Sequence, residues 1–364
     1  MVLRIDPRPD GLMVALHPND RGTVLSWRWL RDHGEDPETF NHETGQRRID
    51  ALGPVSAVTG WKLDAVDGDP ALTLTWTDKP ASTWISVATI VRLMSDPGPL
   101  VAEPWNSAEQ VSLSVGDIDK VLGTSAGLTE WLNDLATWGV AKLSGFDGSS
   151  DQAIALADRI GYVRTSIFGG LWDLASDIAD HDDTAYTESF LAPHTDGTYS
   201  HDAPGLQMFC CTHRDGTGGE SIIVDGFAIA GQIRSDRPDL FETLTTVEVP
   251  AHYIEPSVEL RASRPAIRLD ANGHVVQVSL NNYDRSPMLL PPGEMDRFYE
   301  AYGLLQSMAD DESRWLSIRL EAGDVLINDN WRVLHGRQAY TGERRFIGCY
   351  LNHEDFESRL RTLA

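Results

Sequence analysis

Pro193-His194-Thr195-Asp196-Gly197-Thr198-Tyr199 is the stretch on which the reading of this chain turns. It has a distal echo at Asn330-Trp331-Arg332-Val333-Leu334-His335-Gly336-Arg337, and Arg344 follows shortly after. A His-x-Asp pair in extended backbone puts both side chains on one face of a strand. Both then reach one ion at ligand distances of roughly 2.0–2.2 Å. His335 supplies the third donor. Two histidines and one carboxylate fill one face of an iron(II) and leave the remaining positions open for a co-substrate and oxygen. That pattern points to an oxygenase rather than a hydrolase or a scaffold.

The triplet alone is not specific. His33-x-Glu35, His181-x-Asp183, His213-x-Asp215 and His353-x-Asp355 have the same form, and a surface histidine near an acid accounts for most such pairs. Context selects His194. His335 follows Gly323-Asp324-Val325-Leu326-Ile327-Asn328-Asp329, read as a turn and a strand ending in an exposed polar segment. Arg344 leads into the strand Arg345-Phe346-Ile347-Gly348-Cys349-Tyr350, where a guanidinium can grip a carboxylate with two prongs.

Working outward, 364 residues accommodate two domains, or one large domain with an appendage. The apolar 41% and charged 23% are those of a soluble globular protein. No apolar run approaches the roughly 20 residues that span a bilayer, and Met1-Val2-Leu3-Arg4-Ile5-Asp6 is no signal-peptide core. Cys210, Cys211 and Cys349 form no C-x-x-C pair, so neither a disulfide framework nor a cysteine zinc site is expected and a cytoplasmic setting fits. A net charge of −25 argues against nucleic acid, which needs clustered basic surface. No membrane partner is expected.

Residues 1–100 read as a small β-rich domain of short strands and turns, exemplified by Gly11–Leu16 and Leu72–Trp76. Trp27–Asp32 opens a polar loop running through Gly45, and a linker follows near 97–112. From 112 to 364 the pattern is helix over Leu128–Leu135, strand over Gly139–Leu143, and a helix to Ile160 capped by Ser149. Short strands follow at Leu206–Cys211, Ser221–Val224, Val275–Leu280, Asp324–Ile327 and Phe346–Leu351, interrupted by helices near 227–236 and 294–309. Such a run predicts a mostly β fold with flanking helices, a double-sheet barrel or jelly roll.

The ordered motifs Thr165–Trp172, Asp183–Thr187, His194–Tyr199, Gly218–Phe227, Asn281–Arg285, Asp329–Arg337, Tyr340–Arg344 and Gly348–Leu351 resemble the iron(II)/2-oxoglutarate dioxygenases. Within this taurine dioxygenase-like superfamily they are most similar to the carnitine-biosynthesis branch of trimethyllysine and γ-butyrobetaine dioxygenases, over most of residues 120–364. The resemblance implies a double-stranded β-helix core with Fe(II) on His194, Asp196 and His335. It implies 2-oxoglutarate and O2 as co-substrates, stimulation by ascorbate, and no separate acid or base residue. Arg344 matches the arginine that pairs with the distal carboxylate of 2-oxoglutarate, and Ser221 matches a hydroxyl that assists. Arg345 would point to the opposite face. Relatives carry zinc-binding cysteines in the small N-terminal domain. Gly34–Phe40 lacks them here and leaves only His33 and His42, so no structural zinc is expected.

The implied substrate is a small quaternary ammonium compound, recognised by aromatic faces. Trp172, Tyr186 and Tyr350 fall on the family's cage positions, with Tyr199 and Phe168 adjacent. Asn281, Asn282 and Arg285 are the candidates for the anionic end. Asn282 suits a carboxylate; Arg285 suits a carboxylate or a phosphonate, or else forms a structural pair with Asp284. Trimethyllysine, γ-butyrobetaine and 2-(trimethylamino)ethylphosphonate all remain open as substrates. A zinc hydrolase on the same three donors is the distant alternative, and it gives Arg344 no role. A homodimer is the assembly that relatives imply.

Overall fold

The computed structural model describes residues 4–17, 19–48, 57–78, 81–95, 102–175 and 187–363. It divides into two compact units, Met1–Gly98 and Pro99–Ala364. The first carries two antiparallel three-stranded sheets. One joins Arg4–Arg8, Gly11–Ala15 and Thr23–Ser26; the other joins Val58–Val66, Asp69–Trp76 and Thr83–Ser86. Leu12, Val14, Leu72, Leu74 and Ile85 form its core. Trp27–Asp32 is an α-helix rather than the start of a loop, because Ser26 Oγ accepts the Trp29 amide and caps it. Six residues with only Leu30 buried carry too little periodicity to be read as a helix. His33 stacks on Trp29, and His42 Nε2 meets the Glu35 carbonyl at 2.7 Å.

The second unit holds a seven-stranded and a four-stranded sheet. The large sheet runs Val163–Arg164, Arg344–Leu351, Leu206–Arg214, Asp324–Asp329, Val140–Ser144 and Val115–Asp117, with Leu171–Leu174 also pairing Arg344–Leu351. Its pairings are antiparallel except the last, between Val140–Ser144 and Val115–Asp117. The small sheet runs Leu191–His194, Val333–Arg337, Ser221–Asp225 and Leu316–Ile318. Among the described residues both sheets are open-edged, so the barrel alternative gives way to two separate sheets. The expected strand over Val275–Leu280 ends at Val278 and pairs with Ile267–Leu269 outside both sheets.

Alternation sorts each strand into two faces. Met208, Cys210, Val325, Ile327, Ile347, Cys349 and Leu351 pack outward against helices Ser125–Trp138, Ser150–Ile160 and His353–Leu363. Ile222, Val224 and Leu334 pack outward against Gly226–Asp236, Pro238–Thr246 and Pro292–Ala309. The opposite residues, among them Cys211, Ile223, Leu326, Val333 and Phe346, form an inner cluster. The chemistry-bearing side chains lie on those inner faces. From residue 102 the segment read as a linker is packed instead: Trp105 is buried, its indole donates to the Trp138 carbonyl, and its amide donates to Asp225. Asp225 also caps Gly226–Asp236 and pairs with fully buried Arg332 at 2.8 Å. Among the described residues no helix is long and apolar enough to cross a membrane.

Candidate metal centre

His194 ends the strand Leu191–His194, and His335 lies directly opposite it in the register of Val333–Arg337. Asp196 is not on the strand. The strand stops at His194, and Asp196 sits in the bend that follows, so the same-face argument does not place it. Asn330 does. Its Oδ1 accepts the Asp196 amide at 2.8 Å, while its Nδ2 donates to the carbonyls of Asp196 and Pro204. Asn328, Asp329 and Asn330 are buried, which corrects the expectation of an exposed polar segment before His335.

Asp196 Oδ1 lies 3.3 Å from His194 Nε2 and 3.6 Å from His335 Nε2. One donor atom from each residue falls within 4.8 Å of the others. Donors bonded to one ion at roughly 2.0–2.2 Å sit about 3 Å apart when adjacent, so the trio is close to ligating geometry. The other atoms are already occupied in ways that aim the donors. His194 Nδ1 contacts the Ala192 carbonyl at 2.8 Å, and Asp196 Oδ2 accepts from the Tyr350 hydroxyl at 2.8 Å and from Gln207 Nε2. His335 Nδ1 is buried with no hydrogen-bond partner among the described residues.

Burial governs the charges here. It pushes the His335 imidazole down to about 4, with Asp196 opposing and His194 adding to the fall, so the ring is neutral at pH 7. Burial also works against ionised Asp196, but His335 and His194 outweigh it and hold the carboxyl well below the usual range. At His194 burial is outweighed in turn by Asp196, which raises the imidazole. A neutral imidazole and a carboxylate are the forms that bind a cation.

The three donors open onto a cavity of about 430 Å³. Ser221, Arg344, Trp172, Tyr199 and Tyr350 line it with them; Arg345 does not. Arg345 pairs with Glu343 at the surface. Arg344 is buried over the Phe346 ring at 4.4 Å and has no carboxylate partner among the described residues. Burial, with Arg337 and Arg214 nearby, lowers it to about 10. A buried guanidinium among other cations is a receptor for an anion.

Trp172 and Tyr350 lie 5.6 Å apart on the large sheet, and the indole rests on Gly348. A Cβ at Gly348 would fall 2.0 Å from Trp172 Cζ3, so only glycine leaves the indole that seat. Tyr350 has a second task, since its hydroxyl holds Asp196. Tyr199 and Phe168 face Tyr253 at 5.1 and 6.1 Å. Tyr186 lies outside the described residues.

Two assignments fail. Asn282 and Arg285 do not line the cavity: Asn282 donates to Gln306 on the helix Pro292–Ala309, and Arg285 donates to Asn282 and stacks over Tyr302. Turn geometry sends these two side chains to the helix and the neighbouring Asn281, Tyr283 and Asp284 to the cavity. Four further residues escaped the sequence. Gln207 had a signal, as the lone polar residue in Leu206–Cys211. Asn330 lay inside a quoted motif without a role. His252 and Tyr253 come from the hairpin Glu248–Glu255/Val258–Pro265, which the strand reading missed altogether.

A sequence profile of the taurine catabolism dioxygenase TauD, TfdA family matches residues 103–350. The chain is 33% identical over 347 residues to the mitochondrial trimethyllysine dioxygenase of Gallus gallus, covering 92% of this chain and 82% of that one. It is 36% identical over 256 residues to the γ-butyrobetaine dioxygenase of Pseudomonas sp. strain AK-1, covering 70% and 67%. A putative α-ketoglutarate-dependent taurine dioxygenase structure from Burkholderia xenovorans superposes with a TM-score of 0.50 over 63% of this chain and 83% of that one. At 16% identity that likeness is one of fold. With two histidines and an arginine on the inner faces of two sheets and Asp196 in the bend after one strand, and with this match over residues 103–350, the chain belongs to the TauD, TfdA dioxygenase family.

Proposed function

We propose that the protein is an Fe(II)/2-oxoglutarate-dependent dioxygenase that hydroxylates an aliphatic C–H of a small trimethylammonium compound. The observation that carries this is a His194–Asp196–His335 triplet sharing one cavity with a buried arginine that has no acidic partner among the described residues. The residues fit the group. Three convergent N and O donors with an oriented carboxylate suit a divalent first-row ion, and Arg344 suits the distal carboxylate of 2-oxoglutarate, with Ser221 beside it. The bound iron supplies the redox chemistry, in which O2 and 2-oxoglutarate are consumed, succinate and carbon dioxide are released, and a C–H becomes a C–OH.

The chain's own residues do the rest. Tyr350 and Gln207 fix the rotation of Asp196, so the carboxylate presents Oδ1 to the two imidazoles. Arg344 holds the co-substrate by charge in a medium where that charge is poorly screened. Trp172, Tyr350 and Tyr199 offer aromatic faces to the trimethylammonium, each contributing about 0.5–2 kcal/mol. Leu191, Phe209, Ile223 and Leu326 keep the reacting end dry. The two sheets are read as the faces of a double-stranded β-helix, and residues 1–100 as the small N-terminal domain of the family.

The test is anaerobic loading with Fe(II) and 2-oxoglutarate, followed by oxygen and a panel of trimethyllysine, γ-butyrobetaine and 2-(trimethylamino)ethylphosphonate. Substrate-stimulated succinate with a hydroxylated product is expected from at least one. Silence across the panel overturns the reading. The phosphonate is the weakest of the three, because Arg285, its expected partner, faces the helix Pro292–Ala309.

A further inference from the structure

His353 opens the helix His353–Leu363 and stands outside the cavity, and the mechanism above gives it nothing to do. Its side chain is only 10% exposed, and its ring lies flat on the Trp331 indole, with centroids 4.5 Å apart and planes 2° apart. Nε2 faces Asp329 Oδ2 and Nδ1 faces Glu357 Oε1, each at 3.4 Å. Arg268 stands over the same indole at 4.7 Å, and Arg164, which bonds the adjacent Asn352, is already paired with Asp202. A neutral imidazole has one N–H and would turn a lone pair on one of its two carboxylates; the imidazolium donates to both.

Asp329 and Trp331 flank Asn330, the residue that holds Asp196. Asp329 Oδ1 accepts the Trp331 amide at 3.0 Å, and the Trp331 indole donates to the Ala203 carbonyl at 3.1 Å. Asn330 donates its amide to the Gly205 carbonyl at 2.9 Å and Nδ2 to the Pro204 carbonyl at 2.8 Å. The turns 203–205 and 329–331 are thus stitched together, and His353 packs on both: a Cβ at Gly205 would fall 2.1 Å from the His353 amide nitrogen. From this stitch Asn330 reaches Asp196, accepting its amide at 2.8 Å and donating to its carbonyl at 3.1 Å. Movement of the 329–331 turn therefore moves the bend that carries the carboxylate donor.

We propose that His353 is a positioning residue for the metal centre: its imidazolium, paired with Asp329 and stacked on Trp331, fixes the turn through which Asn330 orients Asp196, so that Fe(II) affinity depends on the charge of a residue that is not a ligand. This rests on the metal site of the function proposed above. Burial opposes the His353 proton, but Asp329 and then Glu357 outweigh it, so the ring keeps its charge at neutral pH and loses it around pH 9.

The experiment measures Fe(II) dissociation constants anaerobically, by competition with a chelator, for wild type, His353→Gln and His353→Arg at pH 7.5 and 9.5, with folding checked by circular dichroism. At pH 7.5 His353→Gln is expected to bind on the order of fivefold more weakly, below the tenfold or more that partners bonded directly to a ligand contribute. At pH 9.5 the wild type keeps about a quarter of its imidazolium, so its advantage over His353→Gln should shrink to about twofold. Arginine stays charged and can stack on an indole, so His353→Arg should match the wild type at pH 7.5 and bind about two- to threefold more tightly than it at pH 9.5. Taking ratios at each pH cancels the titration of the donors themselves. Lost packing alone would give ratios that do not change with pH, and that result overturns the assignment, as does a folded His353→Gln with wild-type affinity. Should His353→Gln not fold, the ratio of wild type to His353→Arg decides by the same criterion. A wild type that binds no Fe(II) overturns the metal site and this inference together; wild-type binding with flat ratios removes His353 alone.

Discussion

Among the described residues two groups of histidine and carboxylates come together, and they could hardly differ more. His194, Asp196 and His335 are sunk between two sheets. His213, Asp215 and Glu343 converge just as closely, with His213 Nε2 3.6 Å from Asp215 and 3.9 Å from Glu343, but their side chains are 46%, 61% and 49% exposed. Both begin with a His-x-Asp and recruit a third residue from far along the chain. The first is surrounded by groups that aim it: Asn330 on the bend, Tyr350 and Gln207 on the carboxylate, Ala192 on the imidazole. In the second, Glu343 is shared with Arg345, and solvent screens the rest. Residue identity and proximity are common to both; burial and orientation are not.

The sharpest way to break this contrast is to delete a donor from each group. His335→Ala is expected to lower Fe(II) affinity by on the order of a hundredfold or more, measured by anaerobic titration, whereas His213→Ala should leave it within about twofold. Comparable losses would erase the distinction. Next in size is the arginine pair. Arg344→Ala should raise the KM for 2-oxoglutarate by about a hundredfold, since it removes one partner of a buried charged contact; Arg345→Ala should barely move it, and equal effects would refute the division into inner and outer faces. Tyr350→Phe keeps the ring and removes only the hydroxyl from Asp196. A fall of about tenfold in Fe(II) affinity is expected, and unchanged affinity would show that Gln207 suffices.

The smallest effect concerns another of the His-x-Asp triplets. His353 lies stacked on Trp331, between Asp329 and Glu357 at 3.4 Å each. Burial opposes its charge, but Asp329 and then Glu357 outweigh it and hold the imidazole up at about 9. A folded value above the unfolded 6.5 means that this stabilisation is complete below pH 6.5 and drains away as pH rises through about 9. The unfolding free energy measured by urea titration should therefore fall over that window by about 3 kcal/mol at most. His353→Gln should flatten the slope, and parallel slopes in both proteins would remove His353 as the cause.

Three kinds of residue were not equally legible. The candidate donors and Arg344 declare themselves in sequence because their chemistry is rare and their order is fixed. Strand faces were legible from alternation, which separates Arg344 from Arg345 and Gln207 from Met208. The supporting residues were hidden because their roles exist only across long sequence gaps. Nothing in Asn330 announces that it will hold the backbone of Asp196, and nothing in Tyr253 announces a hairpin beside the cavity. The turn Asn281–Arg285 shows the limit most clearly: its importance was visible, yet which side chains look inward depends on hydrogen bonds to Thr195, Thr198 and the helix beyond. The triplets His33-x-Glu35 and His353-x-Asp355 were separable only by their surroundings. Glu35 accepts from Ser86 at a helix start, and His353 answers to Asp329 rather than to Asp355.

The direct pairing of His194 with His335 carries a kinetic implication. These partners are roughly 140 residues apart, so their strands can meet only after a large loop has closed. The small sheet is therefore among the slow, non-local parts of the topology. A competent ion site is absent from the nascent chain until that closure is achieved, and metal capture becomes a readout of finished folding rather than a nucleus for it.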